Sequence, residues 1–188
     1  VPMLTFHHFT LPAWVADKGG FSNPESVALF RRFTEEVVAR LGARVPLWCT
    51  FNEPMVLLTG SYIGGFMPPA LYAPELFAKS CENILRAHLE AYDLIHSGKS
   101  SRAGPWADIP LQVGIANNML DFLPDRWWHP IEQTLAGTVR RFYNRSWLDA
   151  LTGKRQHFGV PFVLPAAKQV KEARGRCALD FIGVNYYT

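Results

Sequence analysis

The chain has 188 residues, of which 48% are hydrophobic and 19% are charged, and its formal net charge is +3. These values are typical of one globular domain with a sizeable core, and they exclude a disordered chain. The basic residues are scattered and no apolar run reaches the ~18 to 20 residues of a membrane span, so we expect neither nucleic acid nor a membrane as a partner.

Four predicted strands alternate with helices along the chain. The strands cover residues 3–9, 45–51, 111–117 and 179–185. The helices run from Pro24 to Gly42, from about Glu75 to Gly98 and from Ile131 to Leu148, and loops are predicted at 60–74, 124–130 and 157–176. Because single helices connect successive strands, the pattern predicts an α/β fold with a parallel sheet, in one domain covering residues 1–188.

The predicted helices carry apolar residues at helical spacing. Asn23 is placed to cap the first helix, since Pro24 follows it at the first helical position. The residues expected to face the core are Phe77, Ile84, Leu85, His88, Tyr92 and Ile95 in the second helix, and Ile131, Leu135, Val139, Phe142 and Leu148 in the third.

Each predicted strand is apolar until its last positions and then becomes polar. The polar endings are His7-His8, Asn52-Glu53, Asn117-Asn118 and Asn185-Tyr186-Tyr187. Because the carboxyl ends of parallel strands meet at one edge of a sheet, where α/β enzymes bind ligands, we expect these side chains to line a common cleft. A helix cap or a loop explains any single ending as well, and for Asn117 both interpretations stay open.

The most informative motif is Thr50-Phe51-Asn52-Glu53-Pro54, at the end of the second strand. It resembles the T-F/L-N-E-P signature of glycoside hydrolase family 1, the family of β-glucosidases and β-galactosidases. The segment from His7 to Pro12 is similar to the end of that family's third strand, and the segment from Phe181 to Thr188 is similar to the end of its sixth. The resemblance therefore implies a partial (β/α)8 TIM barrel, made of strands three to six with their helices.

The resemblance also implies roles for five side chains. Glu53 matches the general acid/base, Asn52 matches the residue that holds the sugar 2-hydroxyl, and His8 matches a histidine of the sugar-binding subsite. Asn185 matches an active-site asparagine, and Tyr187 matches the tyrosine that hydrogen-bonds the nucleophile. We expect these five residues to contact a β-linked glycoside substrate.

The implied activity is retaining hydrolysis of β-glycosides by double displacement, without a metal or a cofactor. Such enzymes use two carboxyl groups ~5 to 5.5 Å apart, one as acid/base and one as nucleophile. The family's nucleophile stands in a T-E-N-G motif that this sequence lacks, so we expect the nucleophile to lie outside these residues. An open half barrel exposes strand edges, so we expect the remaining half of the barrel to be needed and the isolated chain to be inactive.

Two other functions stay open at this stage. A non-catalytic carbohydrate-binding or degenerate relative would keep the barrel and lose the second carboxylate. A metal-dependent hydrolase would need ligands such as His8, but adjacent residues of a strand, such as His7 and His8, point to opposite faces and do not share a metal. Trp127 and Trp128 either border the opening for the leaving group or pack within their loop.

The cysteines and the chain ends bear on the cellular setting. Cys49, Cys81 and Cys177 lack the spacing of a disulfide framework or a zinc site, which predicts reduced, mostly buried thiols in a cytoplasmic protein. The chain starts at Val1 inside a predicted strand and stops at Thr188 directly after another, without a signal peptide. We therefore expect both ends to be cuts in a longer sequence.

Overall fold

The computed structural model describes residues 1–98, 104–156, 158–160 and 164–187. The strands are β1 (Met3–His7), β2 (Leu47–Asn52), β3 (Gln112–Asn118) and β4 (Phe181–Asn185). The α-helices are α1 (Ala13–Ala16), α2 (Glu25–Leu41), α3 (Pro54–Thr59), α4 (Pro74–Ser97), α5 (Pro130–Arg140) and α6 (Ser146–Leu151). Short 3-10 turns cover Gly20–Ser22 and Lys171–Ala173, and π-helical turns cover Gly60–Gly64 and Arg141–Arg145.

The four strands form one parallel sheet in the order β1-β2-β3-β4, which confirms the predicted sheet and its four strands. Within the described residues, β1 and β4 are its two edges. The register places Met3 beside Leu47 and Gly114 beside Phe181, with an irregularity in β2 between Cys49 and Asn52. Because every strand runs in the same direction, all four polar endings lie at one edge of the sheet.

The helices cover one face of the sheet, and burial alternates along β1, whereas β2 is buried at every position from Trp48 to Asn52. Trp48 and Val113 are fully buried on this face, where they pack with Val45 and Ile95. The opposite face of β1 carries Thr5, which is exposed. A strand with one buried and one open face shows alternating buried and exposed residues, because successive side chains point to opposite sides of a sheet.

The bounds of helices α2 and α4 follow the prediction closely. The side chain of Asn23 accepts a hydrogen bond of 3.0 Å from the backbone N–H of Glu25, so it caps the start of α2 as expected. Along α4, the predicted apolar stripe is buried except at Tyr92, which is half-buried. These two helices pack against each other and against the sheet, so most of the core lies in this layer.

Helix α5 contradicts the prediction that its apolar residues face the core. None of its residues is buried, and Ile131 and Leu135 are 64% and 57% exposed. Phe142, just beyond the helix, is buried and Leu148 is half-buried, as predicted. Helical spacing identifies an apolar face, but no element in the described part of the chain lies over the face that carries Ile131 and Leu135.

The segment predicted as a loop from residue 60 begins as helix. Pro54 opens α3 at its first helical position, where the missing N–H of proline is harmless, and the π-helical turn Gly60–Gly64 continues it. The loop prediction is therefore wrong over residues 60–64. A β-carbon at Gly60 would lie 2.8 Å from the ring of Phe66 and 2.9 Å from Cγ of Met67, so a larger residue here would have to displace these side chains.

Two further predictions concern thiols and membranes. All three cysteines are free, with Cys49 and Cys81 buried and Cys177 exposed, so the prediction of free and mostly buried thiols is confirmed. None of the helices in the described ranges combines the length and apolar character of a membrane-crossing segment.

A buried histidine connects β2, α4 and the segment before β4. Nε2 of His88 lies 2.6 Å from the carbonyl oxygen of Ala178, which can only accept, so this nitrogen carries the hydrogen. Nδ1 lies 2.7 Å from Oγ1 of Thr50, three residues before Glu53 in β2. Burial lowers the pKa of His88 to about 4, so the ring is neutral at pH 7 and Nδ1 accepts the hydroxyl hydrogen of Thr50.

We expect the free energy of unfolding to decrease as pH falls from about 6.5 toward 4. Burial lowers the pKa of His88 and of His7 from 6.5 to about 4 in the folded protein. The unfolded chain therefore binds more protons in this window, and each histidine lowers stability by about 2 kcal/mol between pH 7 and pH 5. Urea unfolding at the two pH values measures the difference.

Two variants show which histidines cause this pH dependence of stability. His88→Gln should remove about half of the difference between pH 7 and pH 5, because the contribution of His7 remains. His7→Gln should remove the other half, because burial and the nearby charge of His8 lower the pKa of His7 to about 4. An unaltered pH dependence in His88→Gln would show that the ring is already protonated or solvated in the folded protein.

Candidate active site

Glu53 lies where β2 passes into α3, at the carboxyl edge of the sheet. Its backbone adopts a left-handed conformation with φ of 48°, which is rare for a residue with a side chain. Its N–H donates to the carbonyl oxygen of Ala116 in β3 at 2.7 Å, and its own carbonyl oxygen accepts from Leu57 at 3.1 Å. Strained backbone of this kind concentrates at functional sites, where surrounding contacts hold it in place.

The carboxyl group of Glu53 is buried, with the residue 5% exposed, and it is hydrogen-bonded by neighbouring strand ends. Nδ2 of Asn185 donates to Oε1 of Glu53 at 2.6 Å and to Oδ1 of Asn52 at 3.1 Å. The hydroxyl of Tyr187 donates to the same Oε1 at 3.2 Å. No donor among the described residues contacts Oε2, so this oxygen is free to act on a bound molecule.

Two tyrosines beside Glu53 remain protonated at neutral pH. Burial, followed by the negative charge of Glu53, raises the pKa of Tyr143 to about 12. The charge of Glu53 and the hydrogen bond to it raise the pKa of Tyr187, which is exposed. Both phenols are therefore hydrogen-bond donors, and neither adds negative charge to the cleft.

Three asparagines from neighbouring strands lie on the open face of the sheet beside Glu53. Asn118 of β3 pairs in register with Asn185 of β4, and Asn52 pairs with Ala116, two residues before Asn118. Because strand side chains alternate between faces, Asn118 and Asn185 point to the same side, which is the side of Glu53. Ala116 and Gly183, paired one step below, leave this part of the wall without bulky side chains.

The neighbouring Asn117 points the other way. It is fully buried, and its Nδ2 lies 3.5 Å from the carbonyl oxygen of Asn144 in the helical layer. The structure thus places Asn118 in the cleft and Asn117 outside it. The sequence named both residues of the Asn117-Asn118 ending, and the register of β3 with β4, which the sequence does not give, is what separates them.

Among the predicted site residues, the structure brings Glu53, Asn52, Asn185 and Tyr187 into one hydrogen-bonded cluster. His8 is not part of it. It follows the last residue of β1, is exposed, and packs its ring edge-to-face with Phe9 at 5.1 Å between ring centroids.

The two adjacent histidines differ in environment, as the strand geometry predicts. His7 is buried between the rings of Phe21 and Phe51, and His8 is exposed. No group of three or more His, Cys, Asp or Glu side chains within the ranges that the structure covers is arranged to hold a metal ion.

The aromatic loop after β3 lies at the surface. Trp127 and Trp128 are 79% and 62% exposed, and the guanidinium of Arg126 stands 5.8 Å from the ring centroid of Trp128. Arg126 also forms an ion pair with Glu132, the third residue of α5. The exposed rings disfavour packing within the loop, and their part in ligand binding stays a prediction.

Comparisons with known proteins agree on one family. A family model described as glycosyl hydrolase family 1 matches residues 1–188. A β-galactosidase of Pyrococcus woesei is 26% identical over 99% of this chain and 38% of its own length. The peroxisomal β-glucosidase 26 of Arabidopsis thaliana is 28% identical over 100% of this chain and 35% of its own length.

Solved structures give the same result. The β-glycosidase of Pyrococcus horikoshii is 33% identical with a TM-score of 0.76, and the psychrophilic β-glucosidase of Micrococcus antarcticus is 27% identical with a TM-score of 0.79. Each match covers 100% of this chain and 39% of the other chain. The chain thus spans little more than a third of the length of the proteins that it matches.

Proposed function

The chain belongs to glycosyl hydrolase family 1 and forms part of a TIM barrel, and from this premise we propose that it supplies the acid/base half of a retaining β-glycosidase. Glu53 is the general acid/base in this proposal. The observation that carries the assignment is the buried Glu53 carboxyl, whose Oε1 accepts two hydrogen bonds and whose Oε2 receives none from the described residues. It lies at the carboxyl edge of a parallel sheet, where barrel enzymes place their catalytic groups.

The proposed reaction has two steps. In the first, the proton on Glu53 moves to the glycosidic oxygen, the bond between C1 and that oxygen breaks, and a second carboxylate bonds to C1. In the second, Glu53 takes a proton from water, and the water oxygen displaces the second carboxylate from C1 with net retention. The proton that Glu53 donates is thereby restored from water.

The other predicted residues fit around this reaction. We propose that Asn52 and His8 hold hydroxyl groups of the sugar, and that Asn185 fixes the carboxyl of Glu53 through its hydrogen bond of 2.6 Å. Tyr187 reaches Glu53 at 3.2 Å. In the complete site, we propose that its hydroxyl lies between the two carboxyl groups and orients the nucleophile.

The second carboxylate must come from polypeptide beyond these residues. Within the described part, β1 and β4 have an unpaired side, and the face of the sheet beside Glu53 is open. Unpaired edges and open apolar faces favour association or disorder. We propose that further strands of the barrel pair with both edges, and that the isolated chain is inactive.

The stereochemistry of hydrolysis tests the proposal. The complete polypeptide that contains these residues is incubated with p-nitrophenyl β-glucoside or β-galactoside, and the sugar product is followed by proton NMR. We expect the β-anomer to appear first and the α-anomer only by later mutarotation. Initial formation of the α-anomer would show inversion, and sugar binding without hydrolysis would identify a carbohydrate-binding relative.

A further inference from the structure

The strands that lead to Glu53 and Asn185 are not neighbours in the sheet. β3 lies between β2 and β4, yet Nδ2 of Asn185 donates to Oε1 of Glu53 at 2.6 Å. Two successive strand pairings therefore separate the donor from the acceptor of this hydrogen bond. A displacement of about 1 Å in a catalytic group has a large effect on rate, so whatever fixes β2 relative to β4 matters for the reaction.

The pairing of β2 with β3 is irregular directly before Glu53. Between the paired positions at Cys49 and Asn52, β2 has two residues where β3 has one, so the segment forms a bulge that includes Thr50. A bulge interrupts the ladder of hydrogen bonds and turns the side chains that follow it. The ladder to β3 therefore fixes this part of β2 less firmly than the rest of the strand.

His88 of α4 binds the bulge from the helical layer. Its Nδ1 accepts the hydroxyl hydrogen of Thr50 at 2.7 Å, and the carbonyl oxygen of Gly114, at 3.3 Å from the same hydroxyl, is a more distant acceptor. Its Nε2 donates to the carbonyl oxygen of Ala178 at 2.6 Å. The ring is rigid and only 1% exposed, so it holds its two partners at a fixed separation, shielded from solvent. A single side chain thus connects β2 to the segment that enters β4.

The same segment is held to α4 at a second place. Asp180, the residue before β4, accepts a hydrogen bond of 2.7 Å from the hydroxyl of Tyr92, and its other carboxylate oxygen lies 2.7 Å from Nε2 of His96. The N–H of Val113 in β3 donates to the latter oxygen at 2.7 Å. His88, Tyr92 and His96 follow each other at intervals of four residues, which places them on one face of α4. The start of β4 is therefore fixed to α4, and His88 extends this attachment to β2.

We propose that His88 is a positioning residue for the acid/base. By binding both Thr50 and the segment before β4, it sets the position of Glu53 relative to Asn185. The inference rests on the proposed function and adds to it a contribution from the helical layer. Because Asn185 donates to Oε1, the relative position of the two residues determines the direction in which Oε2 meets the glycosidic oxygen. A looser bulge changes that direction and slows proton transfer.

Two substrates separate this role from a contribution to stability, in the complete polypeptide. Cellobiose needs a proton from Glu53, whereas 2,4-dinitrophenolate leaves without one. The ratio of kcat/KM for cellobiose to kcat/KM for 2,4-dinitrophenyl β-glucoside does not depend on how much of the enzyme is folded, so a loss of stability alone leaves it unchanged. We expect this ratio to fall about three- to tenfold in Thr50→Val, which removes only the hydroxyl contact, and in His88→Gln.

Thr34→Val is the matched control for the loss of a buried hydroxyl. Thr34 is fully buried, and its hydroxyl donates within α2 to the carbonyl oxygen of Phe30 at 2.9 Å. This variant should lose stability and keep the wild-type ratio. The double variant Thr50→Val with His88→Gln should have a ratio no lower than that of the more impaired single variant, because both changes remove the same hydrogen bond.

The outcomes distinguish this inference from the proposed function. An unchanged ratio in both single variants would leave His88 with a role in stability only and would overturn the inference. Additive losses in the double variant would contradict it as well, since they show that the two side chains act independently. A wild-type protein that hydrolyses neither substrate, or equal losses on both substrates in Glu53→Gln, would overturn the proposed function and this inference with it.

Discussion

Glu53→Gln should lower kcat/KM for cellobiose by a factor of about 10² to 10⁴ in the complete polypeptide. Glutamine keeps the size of the side chain and can accept the hydrogen bonds that Asn185 and Tyr187 donate to Oε1. It has no acidic proton to give, so the glycosidic oxygen must leave as an anion. Steady-state kinetics with cellobiose and with 2,4-dinitrophenyl β-glucoside measure the effect.

The second substrate makes this prediction specific. Dinitrophenolate leaves without protonation, so formation of the glycosyl-enzyme should be nearly unaffected in Glu53→Gln, and a burst of product should precede a slow second step. Glu36→Gln, at an exposed glutamate of α2, is the matched control and should behave as wild type. Equal losses on both substrates would argue that Glu53 serves the structure of the site and not proton transfer.

Gly114→Ala should lower the free energy of unfolding by about 3 kcal/mol or more. A β-carbon at Gly114 would lie 2.2 Å from the carbonyl oxygen of Phe181 and 3.0 Å from its ring. Backbone cannot yield as a flexible side chain does, so β3 and β4 would have to separate where they pair. Because this pairing also places Asn185 beside Glu53, activity should decline together with stability.

Gly137→Ala is the matched control for this substitution. Gly137 lies inside α5, and a β-carbon there would meet nothing within 4 Å. Alanine is the better helix former, so the control should gain about 0.5–1 kcal/mol. Urea unfolding of both variants gives the comparison, and a Gly114→Ala protein as stable as the control would contradict the register of β3 and β4.

The sequence was sufficient to predict the sheet, its strands and most of the cluster around Glu53. This worked because the polar ending of each strand is a local signal, and the parallel arrangement brings such endings together whatever the loops do. The strand endings placed Asn52, Glu53, Asn185 and Tyr187 at this edge, the resemblance to family 1 singled them out, and they are hydrogen-bonded in the structure.

The direction in which individual side chains point was predicted less well than the strands themselves. The irregularity in β2 between Cys49 and Asn52 shifts the alternation of side chains, so counting along the sequence does not tell which of Asn117 and Asn118 faces Glu53. For α5, helical spacing correctly marked an apolar face on Ile131 and Leu135. Spacing carries no information on whether another element covers that face, and the described residues leave it exposed.

The small residues Ala116 and Gly183, which lie below Glu53 on the open face of the sheet, limit how the width of this cleft can change. Ala116 and Gly183 are neighbours across β3 and β4, and a methyl group added at Gly183 would meet the β-carbon of Ala116 at 3.2 Å. The width of the cleft at this level is therefore set by the small size of Ala116 and Gly183, and neither side chain has a polar group that could bind a ligand. The distance of 3.2 Å is shorter than ordinary van der Waals contact, so a larger side chain at Gly183 would narrow the cleft and also push β3 away from β4, which would move Asn185 relative to Glu53.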